Sequence, residues 1–211
     1  VELIETNPDI KSTDLASALG LGEVNILEFN PFSADVNPEL ALEAEKVASQ
    51  IITTITSISA AGEGAGATKD KAFEKALDAV ISVVASKINN TDSNSNNASG
   101  ASQSDTKIDF SDNTLLNEVS EVAKTELATV VSSQEALETV LESSVAAIEN
   151  VNDKIEAAQS LTDKESVAAF TVTSELNAQV LAAVKQEVIS PGSATIEFSD
   201  TANVESSITT N

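Results

Sequence analysis

Three oxygen-bearing side chains alternate along a polar stretch in the middle of the chain. Asp92, Asn94 and Asn96 have the spacing of the first three ligands of an EF-hand calcium loop. Asn97 occupies the turn position that glycine usually fills, and Gln103 stands where the loop requires a bidentate acid. Because Gln103 carries no charge, the EF-hand frame is broken. The stretch is either a calcium loop or a flexible polar linker, and its composition favours the linker.

A second group of oxygen ligands follows directly. Asp105, Asp109 and Asp112, with Asn113, lie beside a predicted helix start. Three such carboxylates could hold calcium, although capping alone accounts for Asp112. Calcium is thus the candidate ion, no other cofactor is indicated, and no catalytic residue is predicted. The candidate metal ligands are Asp92, Asn94, Asn96, Asp105, Asp109 and Asp112.

Pairs of glutamates also occur one helical turn apart. Paired carboxylates serve as acid and base in glycoside cleavage. These pairs lie opposite the apolar stripes of their helices, and no aromatic residues accompany them to form a floor for a sugar. We therefore interpret them as solvated helix faces. They are Glu39 with Glu43, Glu118 with Glu121, and Glu138 with Glu142.

What the chain lacks excludes several classes of function. It has 211 residues, 41% of them hydrophobic, and a formal net charge of -23, so it is long and apolar enough to build a core. It contains no Cys and no His, and its 11 basic residues are all Lys. Zinc, haem and iron–sulfur sites, and Cys- or His-based catalysis, lack their usual residues. Missing Arg and negative charge disfavour nucleic acid, and acidic helix faces disfavour membrane insertion. We expect no enzyme.

Helical periodicity dominates the elements that would position these residues. Apolar side chains recur at helical spacing, and Asn37-Pro38-Glu39 is typical of a helix start. Short alternating stretches at the two ends, "VELIET" and "ATIEFS", predict β-strands. The sequence thus predicts a mainly α fold, an antiparallel helical bundle or two sub-bundles, with short β segments at the termini. The predicted parts are an extended segment 1–11, a helical sub-bundle 12–88, a polar linker loop 89–105, a helical sub-bundle 106–190, and a strand or tail 191–211.

The N-terminal half resembles a helical segment of very large secreted bacterial surface proteins. The resemblance covers about residues 13–88 and depends on Leu15-x-x-x-Leu19-Gly20-Leu21, then Leu27-x-Phe29-Asn30-Pro31, then an Ala-rich helix. Those proteins combine such segments with calcium-binding repeats of cadherin-like or RTX type. Their second motif usually reads Phe-Asp-Pro, and Asn30 replaces the acid here. The resemblance implies an extracellular or cell-surface location and no catalytic activity.

These observations lead to three functional hypotheses. The first is a structural or assembly module, for adhesion, a matrix, a surface layer or a filament. The second is a calcium-responsive protein-binding module, and the third is a carboxylate-based hydrolase. The expected partners are other protein domains, or copies of the chain in a homo-oligomer, joined through the terminal strands. Because the chain contains no Met, we expect a processed protein or part of a longer one.

Overall fold

The computed structural model describes residues 2–33, 35–95 and 107–210, and for 91–95 the backbone alone. The described residues form a helical bundle, as the sequence predicts. In chain order its elements are α1 (Glu2–Thr6), α2 (Ser12–Ala18), α3 (Pro38–Gly64), α4 (Lys69–Ser95), α5 (Asn113–Leu127), α6 (Gln134–Glu156), α7 (Lys164–Thr171), α8 (Thr173–Ile189), a 3-10 turn (Glu197–Ser199) and α9 (Thr201–Thr210).

The central element of the bundle is α3, which packs against α4, α6 and α8, while α5 packs against α4 and α6. Buried side chains from both sides of the polar stretch belong to one continuous core. The helices before residue 89 and after residue 106 are therefore packed together rather than apart as two sub-bundles. The break in the hydrophobic pattern at 89–105 is not a break in the core.

The long helices follow from the local sequence. Asn37 caps α3 by accepting a hydrogen bond from the Glu39 N–H at 2.8 Å, and Pro38 takes the first helical position. The predicted apolar stripe of α6 is buried in full. Its members are Leu137, Val140, Leu141, Val145, Ile148, Val151 and Ile155.

A row of polar side chains runs along the buried side of α3. Thr53 Oγ1 lies 2.6 Å from Thr173 Oγ1 of α8, and Ser57 Oγ donates to Asn177 Oδ1 of α8 at 2.8 Å. Asn177 Nδ2 in turn donates to Thr56 Oγ1 at 3.0 Å. We name Thr53, Ser57, Thr173 and Asn177 the α3–α8 polar seam. Because these groups satisfy one another only in one alignment, the seam fixes how the two helices pack lengthwise.

The predicted β segments at the two ends are wrong. Residues 2–6 form α1, with Leu3 buried, and residues 201–210 form α9. Ile196 and Phe198 are both buried, as an alternating pattern requires. The Phe198 backbone, however, is satisfied by side chains: its N–H donates to Gln179 Oε1 at 3.1 Å, and its carbonyl accepts from Asn150 Nδ2 at 2.9 Å. No strand partner is required.

Helix α4 continues through Ser95 and so extends past residue 89, where the linker loop was predicted to begin. The first residues of the predicted 89–105 linker are therefore helical.

A second difference concerns α7 and α8, which together span Lys164–Ile189. By length and composition this segment could cross a membrane: an 18-residue window within it has a mean hydropathy of 1.3, and 39% of that window is buried. Core helices of soluble proteins pass the same test, and α8 buries Leu176, Val180 and Val184 in the bundle.

Candidate functional site

The candidate calcium ligands of the polar stretch do not stand on a loop where the structure describes them. Asp92 and Asn94 lie within α4. A helical backbone at these positions is not the loop backbone on which an EF-hand places its first ligands. Asn96 and Asp105 lie outside the described residues.

Asp112 caps α5, as the sequence predicts. Its Oδ1 accepts hydrogen bonds from the N–H groups of Thr114 at 2.6 Å and Leu115 at 3.1 Å. These bonds hold the pKa of the Asp112 carboxyl below its ordinary value, and the bond from the Leu115 N–H has the largest effect. The ionised cap therefore stabilises the fold at neutral pH, and this contribution is lost as the pH falls through the lowered pKa.

Asp109 is held by its own loop. One carboxylate oxygen accepts from both the N–H and the hydroxyl of Ser111, at 2.9 and 2.8 Å. Around it lies an acidic patch that the sequence analysis missed, because two members come from α6. Asp153 is exposed on the surface of α6, yet partial desolvation by neighbouring groups, then the charges of Glu149 and Asp109, raise its pKa, against a hydrogen bond from Ser111.

We call Asp109, Glu149 and Asp153 the α6 acidic patch. Glu149 also accepts a hydrogen bond from Asn113 Nδ2 at 2.6 Å. The four-residue spacing of Glu149 and Asp153 was the available signal in the sequence. Across residues 2–33, 35–95 and 107–210, no group of three or more acidic side chains is placed to hold a metal ion. Calcium binding by this chain stays a prediction.

One glutamate of each pair joins two elements: Glu43, Glu118 and Glu142 pair with lysines of another element. Glu121 and Glu138 bond within their own helices. Lys124 of α5 lies 2.6 Å from Glu121 and 3.2 Å from Glu142 of α6, and Glu138 accepts from Gln134 at 2.9 Å. Such exposed ion pairs contribute about 0–1 kcal/mol each. Other lysines link elements in the same way: Lys75 of α4 to Glu126 of α5 at 3.1 Å, Lys87 of α4 to Glu118 of α5 at 2.7 Å, Lys107 to Glu43 of α3 at 2.8 Å, and Lys154 of α6 to Glu205 of α9 at 2.6 Å.

A buried carboxylate organises the turn after α8. Glu187 is buried and accepts hydrogen bonds from the N–H groups of Gly192 at 2.7 Å and Ala194 at 3.1 Å. These two bonds, the one from Gly192 first, lower the pKa of the Glu187 carboxyl. Pro191-Gly192 gave a sequence signal for the turn but none for its carboxylate partner. Glu187 is thus a structural ligand of backbone groups.

A buried amide joins α6 to both α3 and the segment before α5. Asn152 is fully buried, and its Nδ2 donates to the Phe110 carbonyl at 2.6 Å and to Thr54 Oγ1 at 3.3 Å. Its backbone carbonyl accepts from Gln50 Nε2 at 3.2 Å. The Asn152 Oδ1 atom has no hydrogen-bond partner among the described residues.

An open groove between α3, α4 and α8 is lined mainly by apolar atoms. Ala60 of α3, Phe73 of α4 and Leu181 of α8 form its floor, and Glu63 and Lys69 lie at its edge. Phe73 is a large apolar residue, yet 40% of it is exposed. Such an apolar surface is suited to contact with another protein rather than to proton transfer.

The described polar groups therefore act chiefly on the protein itself, as caps, interhelical pairs and turn ligands. Comparison with protein-family models, with curated proteins and with solved structures found no significant match to this chain.

Proposed function

We propose that this chain is a structural module for assembly in a secreted or cell-surface bacterial protein. One observation carries the proposal: the carboxylates with lowered pKa are bound to groups of their own helices and turns, so they stabilise the fold locally. Asp112 and Asp163 cap helices, Glu187 holds a turn, and Glu74 pairs with Lys71. A general acid requires a raised pKa, as Asp153 has, but Asp153 lies exposed on α6 and belongs to none of the glutamate pairs.

The proposed location rests on composition and on the resemblance of residues 13–88. A strongly acidic chain without Arg and rich in Asn, Ser and Thr suits salty or calcium-containing water outside the cell. Self-repulsion at a net charge of -23 also keeps such a chain soluble until a specific partner is met.

Assembly through the terminal strands is not part of this proposal, because α1 and α9 are helices and the buried Leu3, Val204 and Ile208 tie them to the core. The contacts with other domains or copies would instead be made by side chains that the bundle leaves exposed. Leu27, Phe32 and Ile189 are each more than half exposed.

Two measurements test this function. Purified chain should show no turnover above buffer on glycoside, ester and phosphate substrates. A rate that Glu118→Gln or Glu142→Gln abolishes, with helicity unchanged, would establish the hydrolase instead. Sedimentation velocity and circular dichroism with and without millimolar calcium separate the other two hypotheses: a static module keeps its shape and helicity, whereas a calcium-responsive module changes them.

A further inference from the structure

The loop between α2 and α3 exposes apolar side chains in an ordered way. Leu27 is 52% exposed and Phe32 is 73% exposed. Exposing side chains of this size forgoes the free energy that burying them would contribute. Because Phe accounts for only 6 of the 211 residues, a Phe left this open is worth explaining.

Two turns of the same design hold these side chains. In the first, Asn25 Oδ1 accepts from the Leu27 N–H at 3.2 Å, and the Asn25 carbonyl accepts from the Glu28 N–H at 3.0 Å. In the second, Asn30 Oδ1 accepts from the Phe32 N–H at 3.1 Å, and its carbonyl accepts from the N–H of residue 33 at 3.1 Å. Each turn thus has Asn at its first position and an exposed apolar residue at its third.

The repeat places the two apolar residues five positions apart and orders them before any contact is made. Val24 and Ile26 pack against the core and anchor the first turn. A loop whose backbone is already ordered loses less conformational entropy on binding, so this arrangement favours docking. We name Leu27 and Phe32, with their two Asn turns, the double-turn loop.

The charges around the double-turn loop indicate what it would meet. Glu23, Glu28 and Asp35 are exposed in the loop, and there is no Lys between Lys11 and Lys46. Lys107, whose side chain lies beside Gly20 at the start of the loop, is already paired with Glu43 at 2.8 Å. Two apolar anchors in an acidic rim complement an apolar groove lined by lysine or arginine.

We propose that the double-turn loop docks Leu27 and Phe32 into an apolar groove with a basic rim on a partner protein. This inference rests on the proposed role in assembly and names the chemistry of the partner. A second copy of the chain is a poor fit, because its surface would bring another charge of -23 toward the acidic loop.

The test uses the whole chain and a synthetic amphipathic helix of leucine and lysine as probe. Two control peptides replace lysine by glutamate or leucine by glutamine, so that each keeps only one half of the chemistry. The protein variants are Leu27→Ser/Phe32→Ser and, as a matched control, Ile189→Ser, which removes an exposed apolar side chain at the end of α8.

Fluorescence anisotropy of the labelled leucine–lysine peptide should show binding to the wild type and to Ile189→Ser. The Leu27→Ser/Phe32→Ser variant should bind about tenfold more weakly, with unchanged circular dichroism. Both control peptides should bind all three proteins equally weakly. Equal binding of the leucine–lysine peptide by the double variant and the wild type would overturn the proposal.

Two other binding partners of the double-turn loop would give different results. If sedimentation shows self-association that Leu27→Ser/Phe32→Ser removes, the loop binds a second copy. If Phe32→Trp, which supplies the sole tryptophan, shifts its emission on phosphatidylcholine vesicles, the loop binds a lipid surface. Either result overturns the basic-groove proposal. Failure of the peptide to bind, in a chain that shows no turnover, also overturns it and leaves the structural function standing.

Discussion

At the scale of single residues, the most demanding position is Asn152. It is fully buried and donates a hydrogen bond to the Phe110 carbonyl at 2.6 Å. A buried backbone carbonyl without a donor costs more than the modest net value of one hydrogen bond. This asymmetry explains why an amide is tolerated among aliphatic neighbours.

Replacing this amide should therefore destabilise the fold. We expect Asn152→Ala to lower the free energy of unfolding by about 1–3 kcal/mol, because it leaves the Phe110 carbonyl unpaired and opens a cavity. Urea unfolding followed by circular dichroism measures the loss. The control is Asn117→Ala on the exposed face of α5, which should change stability by less than about 0.5 kcal/mol. Equal losses in both variants would show that Asn152 contributes nothing specific.

Replacing Asp153 should raise the stability of the fold rather than lower it. The pKa of Asp153 is raised in the folded state by partial desolvation and by the charges of Glu149 and Asp109, so the folded protein binds the proton more tightly than the unfolded chain does. The ionised carboxylate thus costs stability at neutral pH, and the cost disappears as the pH falls through the raised pKa.

Asp153→Asn should accordingly stabilise the protein at neutral pH, and the gain should shrink toward zero in acid. Urea unfolding across this pH range measures it. Glu23→Gln removes the same charge from the exposed loop before α3 and corrects for the change in net charge. If both variants gain equally, local repulsion in the α6 acidic patch is not the cause.

At the scale of elements, two helix–helix turns interlock. The Ala65 carbonyl, in the turn after α3, accepts hydrogen bonds from the N–H groups of Ser132 and Ser133 at 3.0 Å each, in the turn before α6. Gly66 follows with a φ of +104°, and a Cβ at this position would overlap the Ser132 hydroxyl. The interlock therefore requires glycine for both its backbone angle and its space.

A pair of glycine variants separates these two requirements. Gly22 has a φ of +72°, and a Cβ added there would meet no atom within 4 Å, so Gly22→Ala should cost only the strain of a left-handed residue, about 1–2 kcal/mol. Gly66→Ala adds the clash with Ser132 and should cost about 1–3 kcal/mol more. Thermal and urea unfolding measure both. Similar losses of stability in the two variants would mean that the turns after α3 and before α6 can move apart to admit the Cβ at no cost in free energy.

The elements also show how far the sequence could predict the structure. The stripe of α6 and the caps at Asn37 and Asp112 were predictable because local periodicity and capping decide them. The C-terminal segment was not, because its fate depends on distant groups. Alternation identified Ile196 and Phe198 as buried, but only Asn150 and Gln179 of other elements remove the need for a strand partner. The α6 acidic patch was not predicted either, because it brings together residues that lie far apart in the sequence.

At the scale of the whole molecule, charge is the dominant unfavourable feature. The chain has 34 acidic and 11 basic residues, so the lysines can neutralise only a minority of the carboxylates. The remaining negative charges repel one another. Salt screens the attraction in the lysine pairs as well as this repulsion, but the excess of acids makes repulsion the larger effect.

The melting temperature should therefore rise as sodium chloride is added, by several degrees for about 1 kcal/mol of relieved repulsion. Differential scanning calorimetry measures the rise. Calcium chloride at equal ionic strength is the comparison. If calcium raises the melting temperature no more than sodium does, the calcium-responsive hypothesis fails, and a fall with sodium would show that the lysine pairs outweigh the repulsion.

The central position of α3 has a consequence for synthesis on the ribosome. Its hydrogen-bonding partners lie 102 residues later, in α6, and 120 residues later, in α8. At translation rates of roughly 5–20 residues per second, α3 therefore waits roughly 6–24 s before α8 exists to cover it. During that interval Thr53 and Ser57 are hydrated, so the future interior of α3 offers less sticky surface to neighbouring nascent chains than a fully aliphatic helix would. We therefore expect the polar seam to lower aggregation of the unfinished chain before it aligns α3 with α8 in the finished one.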